Sequence, residues 1–398
     1  MNANRDIAKR KKHCSVCGTK LTGPVITYPQ LPLTGMYAKR HDPKFIKGID
    51  LFFHVCDICG HAQISNIIDP SFLYNESYVF RTSESATSRT AIDNFLRFLG
   101  DVAGKRSFRQ IIDVGCNDLY LLDKLKGRAK SLVGIDPIWA GKEKAGTGKV
   151  KLIGNILEDV DLGPNLGGTL DLVLSTHTLE HIASPRSFIQ QLFAAADEDT
   201  LFIFEFPGFG PLLKRARFDQ IFHQHLQYFT LASFRYLLAE LGGELIASEE
   251  NYRHWGAMLV AFKRSKKMVR PQKMKNHDEY VQKIKMQYGY FRAQMERVKD
   301  FLCGYNGPVY GYGAALMLPA LFYHLGIGAD RVRTIIDDDR GKSGLSYINL
   351  PVTIRRPDQV KDISGSAIMI TALDNARPIL QKAISMRPMN LVVPLNVI

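Results

Sequence analysis

Apolar positions along the chain switch between two periods. Ile92, Phe95, Leu96 and Leu99 recur at helical spacing, with Ser88 as the expected N-cap. Short apolar runs follow at 110–114, 132–135, 172–175 and 201–205, separated by stretches long enough for crossover helices, and they predict the strands of a mainly parallel sheet. The runs 244–248 and 257–262 lie close enough to pair antiparallel and end that sheet. Val281, Ile284, Tyr288, Phe291, Met295, Val298 and Leu302 then alternate steps of three and four, the mark of one amphipathic helix with a single buried stripe. A dimer coiled coil is the sharper reading of the same stripe. Strand-like runs at 308–311, 333–336, 367–371 and 391–393 alternate with helical stretches again, whereas the first 85 residues show no long helical period. The pattern predicts an α/β protein with a small N-terminal domain (1–85), a Rossmann-like core (86–268), a linker helix (269–305) and a C-terminal second doubly wound α/β domain (306–398).

Composition narrows the setting. A chain of 398 residues with 45% hydrophobic content can bury two or three cores. No run of about 18 apolar residues occurs, so a cytoplasmic protein without a membrane span is expected. Of the six cysteines, four form two CxxC pairs, which favours thiolates in a reducing compartment over disulfides. The net charge of +13 gathers in basic runs at 5–12 and 263–275, read as a solvated terminus and linker rather than a nucleic-acid patch. The expected partner is a small-molecule substrate, with the chain a monomer or homodimer.

Cys14 with Cys17, and Cys56 with Cys59, can each turn two thiolates toward one tetrahedral ion. Gly18 and Gly60 follow the second cysteine of each pair, where the turn needs a residue without a Cβ. Structural zinc is expected, with an iron centre or a redox dithiol as alternatives. His13, His54 and His61 flank the cysteines in supporting or surface positions, and Cys116 and Cys303 read as small hydrophobes.

The string FRQIIDVGCNDLYLLDKL places an apolar strand ending in Asp113, a turn through Gly115 and an amphipathic helix. A second strand, SLVGID, ends in Asp136, where an acid can accept hydrogen bonds from ribose hydroxyls. Asn117 and Asp118 stand where a dinucleotide fold would admit a pyrophosphate, and such side chains suit a cationic sulfonium better than a diphosphate. The expected cofactor is S-adenosyl-L-methionine, and the core a class I methyltransferase domain. Gly154, Asn155 and Ile156 could frame the adenine, and the strand in DLVLSTHTLEH delivers polar residues from Thr176 to His181, His177 among them, to the sheet's carboxyl edge.

With these motifs the chain resembles the sugar C-methyltransferases that act on nucleotide-linked 4-keto-deoxysugars. The resemblance rests on the CxxC pairs, IDVGCND, HTLEHI, FEFPGF, FDQIFHQHLQYFT, VYGYGA and DDDRGKSG, and spans essentially the whole length. It implies a zinc domain, a methyltransferase core and a C-terminal α/β domain, with methyl transfer to C3 of the sugar through an enolate. It also implies His225 as the general base, His181 as a second active-site histidine, and Tyr78 as a contribution from the end of the zinc domain. Gln224 and Phe222 take the places of a glutamate and a tyrosine, Leu119 that of a glycine, His177 that of an asparagine and Met317 that of a lysine. The sugar nucleotide is expected between the middle and last domains. His223 and His225, two apart, should face the same side. The GYGA loop at 311–314 reads either as a phosphate-binding turn or as a structural one, and Asp337, Asp338 and Asp339 with Lys342 as a solvated loop. Two other functions stay open: transfer to a hydroxyl of another sugar or metabolite, and a zinc-ribbon nucleic-acid-binding module with a non-catalytic core.

Overall fold

The computed structural model describes residues 8–42, 45, 47–69, 81–146, 148–163, 170–254, 256–265, 267, 270–361 and 363–395. Tyr78 and the aromatic residues around it lie outside these. The N-terminal part carries β1 (Ala8–Arg10), β2 (Ile26–Leu31), β3 (Tyr37–Ala38), β4 (Ile49–Val55), β5 (Ala62–Ile64) and β6 (Asn66–Ile68). The middle part follows as α1 (Ala86–Ala103), β7 (Phe108–Val114), α2 (Tyr120–Leu125), β8 (Ala129–Ile135), β9 (Val150–Ile153), β10 (Leu170–Thr176), α3 (Pro185–Ala194), β11 (Ala196–Pro207), α4 (Phe209–Lys214), β12 (Gln227–Tyr228), α5 (Leu231–Glu240), β13 (Gly243–Asn251) and β14 (Ala257–Arg264). The last part comprises α6 (His277–Gly304), β15 (Val309–Tyr312), α7 (Leu318–Leu325), β16 (Ile335–Ile336), β17 (Ser346–Tyr347), β18 (Ile354–Arg355), β19 (Ala367–Ile370), α8 (Ala376–Ser385) and β20 (Asn390–Val392).

The middle sheet runs β13-β14-β11-β10-β7-β8-β9. The strands from β7 to β11 are parallel, and β14 is antiparallel to both of its neighbours. Parallel strands covered on both faces must be apolar throughout, and β10 is buried at every position but its last. Strand order reverses between β7 and β10, which opens the crevice at their carboxyl ends where doubly wound folds bind ligands. The C-terminal sheet, β18-β16-β15-β19-β20, is parallel throughout and reverses between β15 and β19. Helix α1 starts earlier than its apolar period suggests: the cap is Ser85, whose hydroxyl accepts from the Ser88 amide at 3.2 Å, while Ser88 sits inside the first turn.

Strand pairing crosses the expected boundaries near residues 85 and 305. Strand β12 leaves the middle sheet and pairs antiparallel with β5, completing the N-terminal sheet β12-β5-β4-β2, and β17 pairs with β3. The stripe of α6 is covered by the same chain: Ile284, Phe291, Met295 and Leu302 are fully buried in a cluster shared with Tyr28 of β2, Phe218 and α7. That shared cluster, not a partner helix, accounts for the heptad-like spacing. Among the described residues no helix is long and apolar enough to cross a membrane.

A buried ion triad also joins middle and last parts. The Arg217 guanidinium meets Asp219 through two 2.8 Å bonds and Asp374, just before α8, at 2.8 Å. Removing one member of such a group strands the charges that remain. Arg217→Ala is expected to lower stability by about 3–5 kcal/mol, read as a fall in the urea unfolding midpoint of the whole chain.

Candidate active site

The turn after β7 is shaped for close approach. Gly115 has φ +83°, and a Cβ there would lie 2.0 Å from Thr178 Oγ1. Asn117 and Leu119 also adopt positive φ, 44° and 68°, so Leu119 holds a left-handed conformation that glycine adopts more readily. The Asn117 amide donates to Asp136 Oδ2 at 2.9 Å and the Ile138 amide to Oδ1 at 3.0 Å, which fixes the carboxylate at the end of β8 and leaves lone pairs on both oxygens. The Trp139 indole donates to the Asn117 carbonyl at 2.7 Å, and the backbone amides of Thr82 and Ser83 close over Asn117 Oδ1 and Asp118 Oδ2.

Asp113 is 1% exposed, and its Oδ1 has no hydrogen-bond partner among the described residues. Burial, reinforced by the charge of Asp136, pushes its carboxyl up to about 8. A buried acid with an unpartnered oxygen beside a glycine cradle suits a ligand that brings hydrogen-bond donors or positive charge. Asn155 and Ile156, in the turn after β9, are both exposed, Ile156 at 46%.

The turn after β10 brings histidines and carboxylates together. His177, at φ +51°, hydrogen-bonds Glu180 Oε1 through Nδ1 at 3.1 Å and His254 Nδ1 through Nε2 at 3.0 Å. His254 Nδ1 lies 3.3 Å from Glu205 Oε1, which also accepts from Asn251 Nδ2 at 2.9 Å. Burial works to raise the Glu180 carboxyl, but the bond from His177 and the charges of His181 and His225 prevail and bring it to about 2. Burial alone would lower His177, yet its contact with Glu180 leaves it raised.

His225 reaches the same place from the other side. Its ring packs at a tilt of 41° against Phe222 with centroids 4.2 Å apart and meets His181 edge-on at 5.0 Å. Burial, with the His181 charge, pushes it down to about 3 against the pull of Glu180. Neither of its ring nitrogens has a hydrogen-bond partner among the described residues. His181 Nδ1 bonds the Gln224 carbonyl at 2.8 Å, and the Leu226 amide donates to the Glu180 carbonyl at 2.7 Å. His223 does not share the side of His225: it is buried and bonded to the Ile49 carbonyl of β4 at 3.0 Å, because β12 pairing turns this segment between two walls. The Gln224 side chain accepts from Thr34 Oγ1 at 3.1 Å and rests on Gly35, so it belongs to the wall formed by the N-terminal part.

Cys14, Cys17, Cys56 and Cys59 converge with all sulfurs within 4.8 Å of one another, and Cys14–Cys59 and Cys17–Cys56 are 3.5 and 3.4 Å apart. Gly18 and Gly60 have φ +73° and +68°, as the knuckle turns require. Four soft donors at this spacing fit one tetrahedral ion. His54 and His61 are committed elsewhere, to Thr22 and Ser65 and to Gln227.

The C-terminal GYGA loop is held by neighbouring side chains. The Ala314 amide donates to Asp337 Oδ2 at 2.6 Å, while Tyr37, Lys342 and Tyr347 hydroxyl or ammonium groups cap the Ala314 and Ala315 carbonyls. Asp337 and Lys342 are therefore tied into this turn, while Asp338 and Asp339 are exposed, as expected of a solvated loop. Sequence reading passed over Glu180, Glu205, Asn251 and His254. The first two lie inside motifs already singled out, HTLEHI and FEFPGF, whereas His254 is 77 residues from the histidine it touches and carries no local signal.

A methyltransferase domain family matches residues 83–248, which contain both strand-end acids and the histidine segment. Over 375 residues the chain is 24% identical to the C-methyltransferase NovU of Streptomyces niveus, covering 89% of this chain and 88% of that protein. Among solved structures, an S-adenosylmethionine-dependent methyltransferase from Mesorhizobium loti aligns with a TM-score of 0.36 at 14% identity, covering 46% of this chain and 99% of that one. The N-methyltransferase NodS of Bradyrhizobium japonicum, solved with S-adenosyl-L-homocysteine, aligns with a TM-score of 0.34 at 12% identity over 45% and 88%. The protein is a class I S-adenosylmethionine-dependent methyltransferase. Over nearly its full length it is similar to a C-methyltransferase, NovU, and the methyltransferase domain lies within that likeness.

The high pKa of Asp113 has a consequence for binding. At pH 6 to 7 its carboxyl is protonated, and a ligand that prefers the ionised form must displace that proton. Affinity for S-adenosyl-L-homocysteine is expected to rise by up to about tenfold per pH unit below pH 8 and to level off above it. Calorimetry across this range would check the trend, and Asp113→Asn should flatten it.

Proposed function

We propose that the protein C-methylates a nucleotide-linked keto-deoxysugar, with His225 as the general base. The observation that carries this reading is the imidazole of His225, without a hydrogen-bond partner among the described residues, enclosed by Phe222 and His181 and set beside the buried carboxylate of Glu180. S-adenosyl-L-methionine supplies an electrophilic methyl group on a cationic sulfur. Asp113, Gly115, Asn117 and Asp136 would hold it, with Asn155 and Ile156 at the adenine end and His177 at the end nearest the acceptor. The acceptor's C4 ketone acidifies the adjacent C3–H. His225, neutral in its enclosure, takes that proton, and the Glu180 charge stabilises the resulting imidazolium. His181, anchored through the Gln224 carbonyl, keeps its other nitrogen toward Glu180. Gln224 acts as an amide that positions, bonded to Thr34. Tyr78, outside the described residues, keeps the role that the resemblance implies for it.

The cysteine cluster is read as a structural zinc site whose purpose is to hold β5 against β12. Ser15, next to Cys14, donates to Gln63 on β5, whose partner across the strand pair is Gln227. The purified chain is expected to carry one thiolate-bound zinc. Its removal by chelation should raise amide hydrogen exchange across 222–228, measured by mass spectrometry. Unchanged exchange would separate the metal from the active site.

Incubating the protein with labelled cofactor and a panel of nucleotide-linked 4-keto-deoxysugars should place label on carbon in at least one. His225→Ala should lower kcat by about 10²–10⁴-fold with S-adenosyl-L-homocysteine affinity retained. Label found only on oxygen would replace this reading with transfer to a hydroxyl. No label on any member, from protein that binds the cofactor, would overturn the acceptor class.

A further inference from the structure

The carboxyl edge of the middle sheet holds a second group of donors whose arrangement is that of a metal site. We infer that His177, His254 and Glu205 bind a divalent transition-metal cation, with Glu180 and Asn251 as the groups that orient the ligands. The ligand atoms His177 Nε2, His254 Nδ1 and a Glu205 carboxylate oxygen lie within 4.8 Å of one another, and neighbouring pairs stand 3.0 and 3.3 Å apart. Two imidazoles and one carboxylate at that spacing form a nitrogen and oxygen set suited to zinc, cobalt, manganese or iron.

Two further observations separate this group from an ordinary hydrogen-bond cluster. The nitrogen of His177 that faces away from the proposed ion, Nδ1, is bonded to the carboxylate of Glu180, and Glu205 is held by the Asn251 amide. Metal-binding histidines nearly always donate their second ring N–H to a carboxylate or carbonyl in this way. In addition, Glu205 and Glu180 are each 1% exposed, and each keeps one buried oxygen, Oε2, without a hydrogen-bond partner. Among the described residues neither carboxylate forms an ion pair with a lysine or arginine, since their charged partners are histidines alone. Buried carboxylates are otherwise paired or bound to a metal. The neighbouring trio Glu180, His181 and His225 shares the buried carboxylate and has His181 oriented by the Gln224 carbonyl, but among the described residues no group orients the His225 ring by a hydrogen bond.

Such an ion would lie one carboxylate away from His225, through Glu180. There it would stabilise negative charge on the acceptor's oxygen, a task for which Phe222 has no donor. That role rests on the proposed reaction, but binding of the ion does not, so the two fail separately. The test uses Co2+ alone, added to the full chain with its cysteine site already filled by zinc. The expected result is one further saturable equivalent, with weak visible bands and no sulfur-to-cobalt charge-transfer band. Glu205→Gln should weaken binding at least tenfold, and Glu180→Gln about 10–100-fold while its fold, judged by circular dichroism, is kept. Absence of saturable Co2+ binding in the unaltered chain would overturn the proposal, as would undiminished binding in folded Glu205→Gln.

Discussion

The site depends on one short strand pairing, Gln227–Tyr228 against Ala62–Gln63. Only two residues pair, yet the contact is reinforced by buried polar bonds on both sides. Gln227 accepts from His61 Nε2 at 2.9 Å and donates to the Ile182 carbonyl at 2.8 Å, next to His181. Gln63 accepts from the Ser15 amide at 2.7 Å, beside Cys14. His61, Gln63 and Gln227 are almost wholly buried, so each of these bonds replaces a water that cannot reach them. The cysteine cluster and the histidine turn are thereby two ends of one rigid connection.

The same logic explains why three sheets make one molecule. The N-terminal sheet packs its buried face, Tyr28, Leu51 and Phe53, against Phe209, Phe218 and the stripe of α6 rather than closing a core of its own. A domain as small as the N-terminal part buries too little apolar surface alone, so it borrows the core of its neighbours and gathers four thiolates at one point. Arg217, Asp219 and Asp374 then fix how the last part meets the middle one.

The active-site edge concentrates charge and unusual backbone in a small volume. Asn117, Leu119 and His177 all hold positive φ within the two turns that flank the crevice, and Asp113, Asp136, Glu180 and Glu205 are all buried there. Such features are costly in isolation and persist where ligand binding is served by them. Two opposite electrostatic outcomes occur side by side. Asp113, without a cationic partner, is pushed up toward neutrality, while Glu180, ringed by imidazoles, is held ionised.

The alternating periods of the sequence located most strands of both α/β parts, and the helices α1 and α6, because each of these elements buries a continuous face and period follows burial; the short β9 and β18 carry too few positions to show a period. They also located Asp113, Gly115, Asn117 and Asp136, which follow one another along two adjacent strands. The four cysteines were legible for the same reason, being paired within two tight turns. Tertiary structure alone decided that β12 leaves the middle sheet, that His223 and His225 face different walls, and that Ser85 rather than Ser88 caps α1. It alone brought His254 to His177 and Glu205. Those relations join residues far apart in the chain or depend on which wall a segment meets, and no local period encodes either.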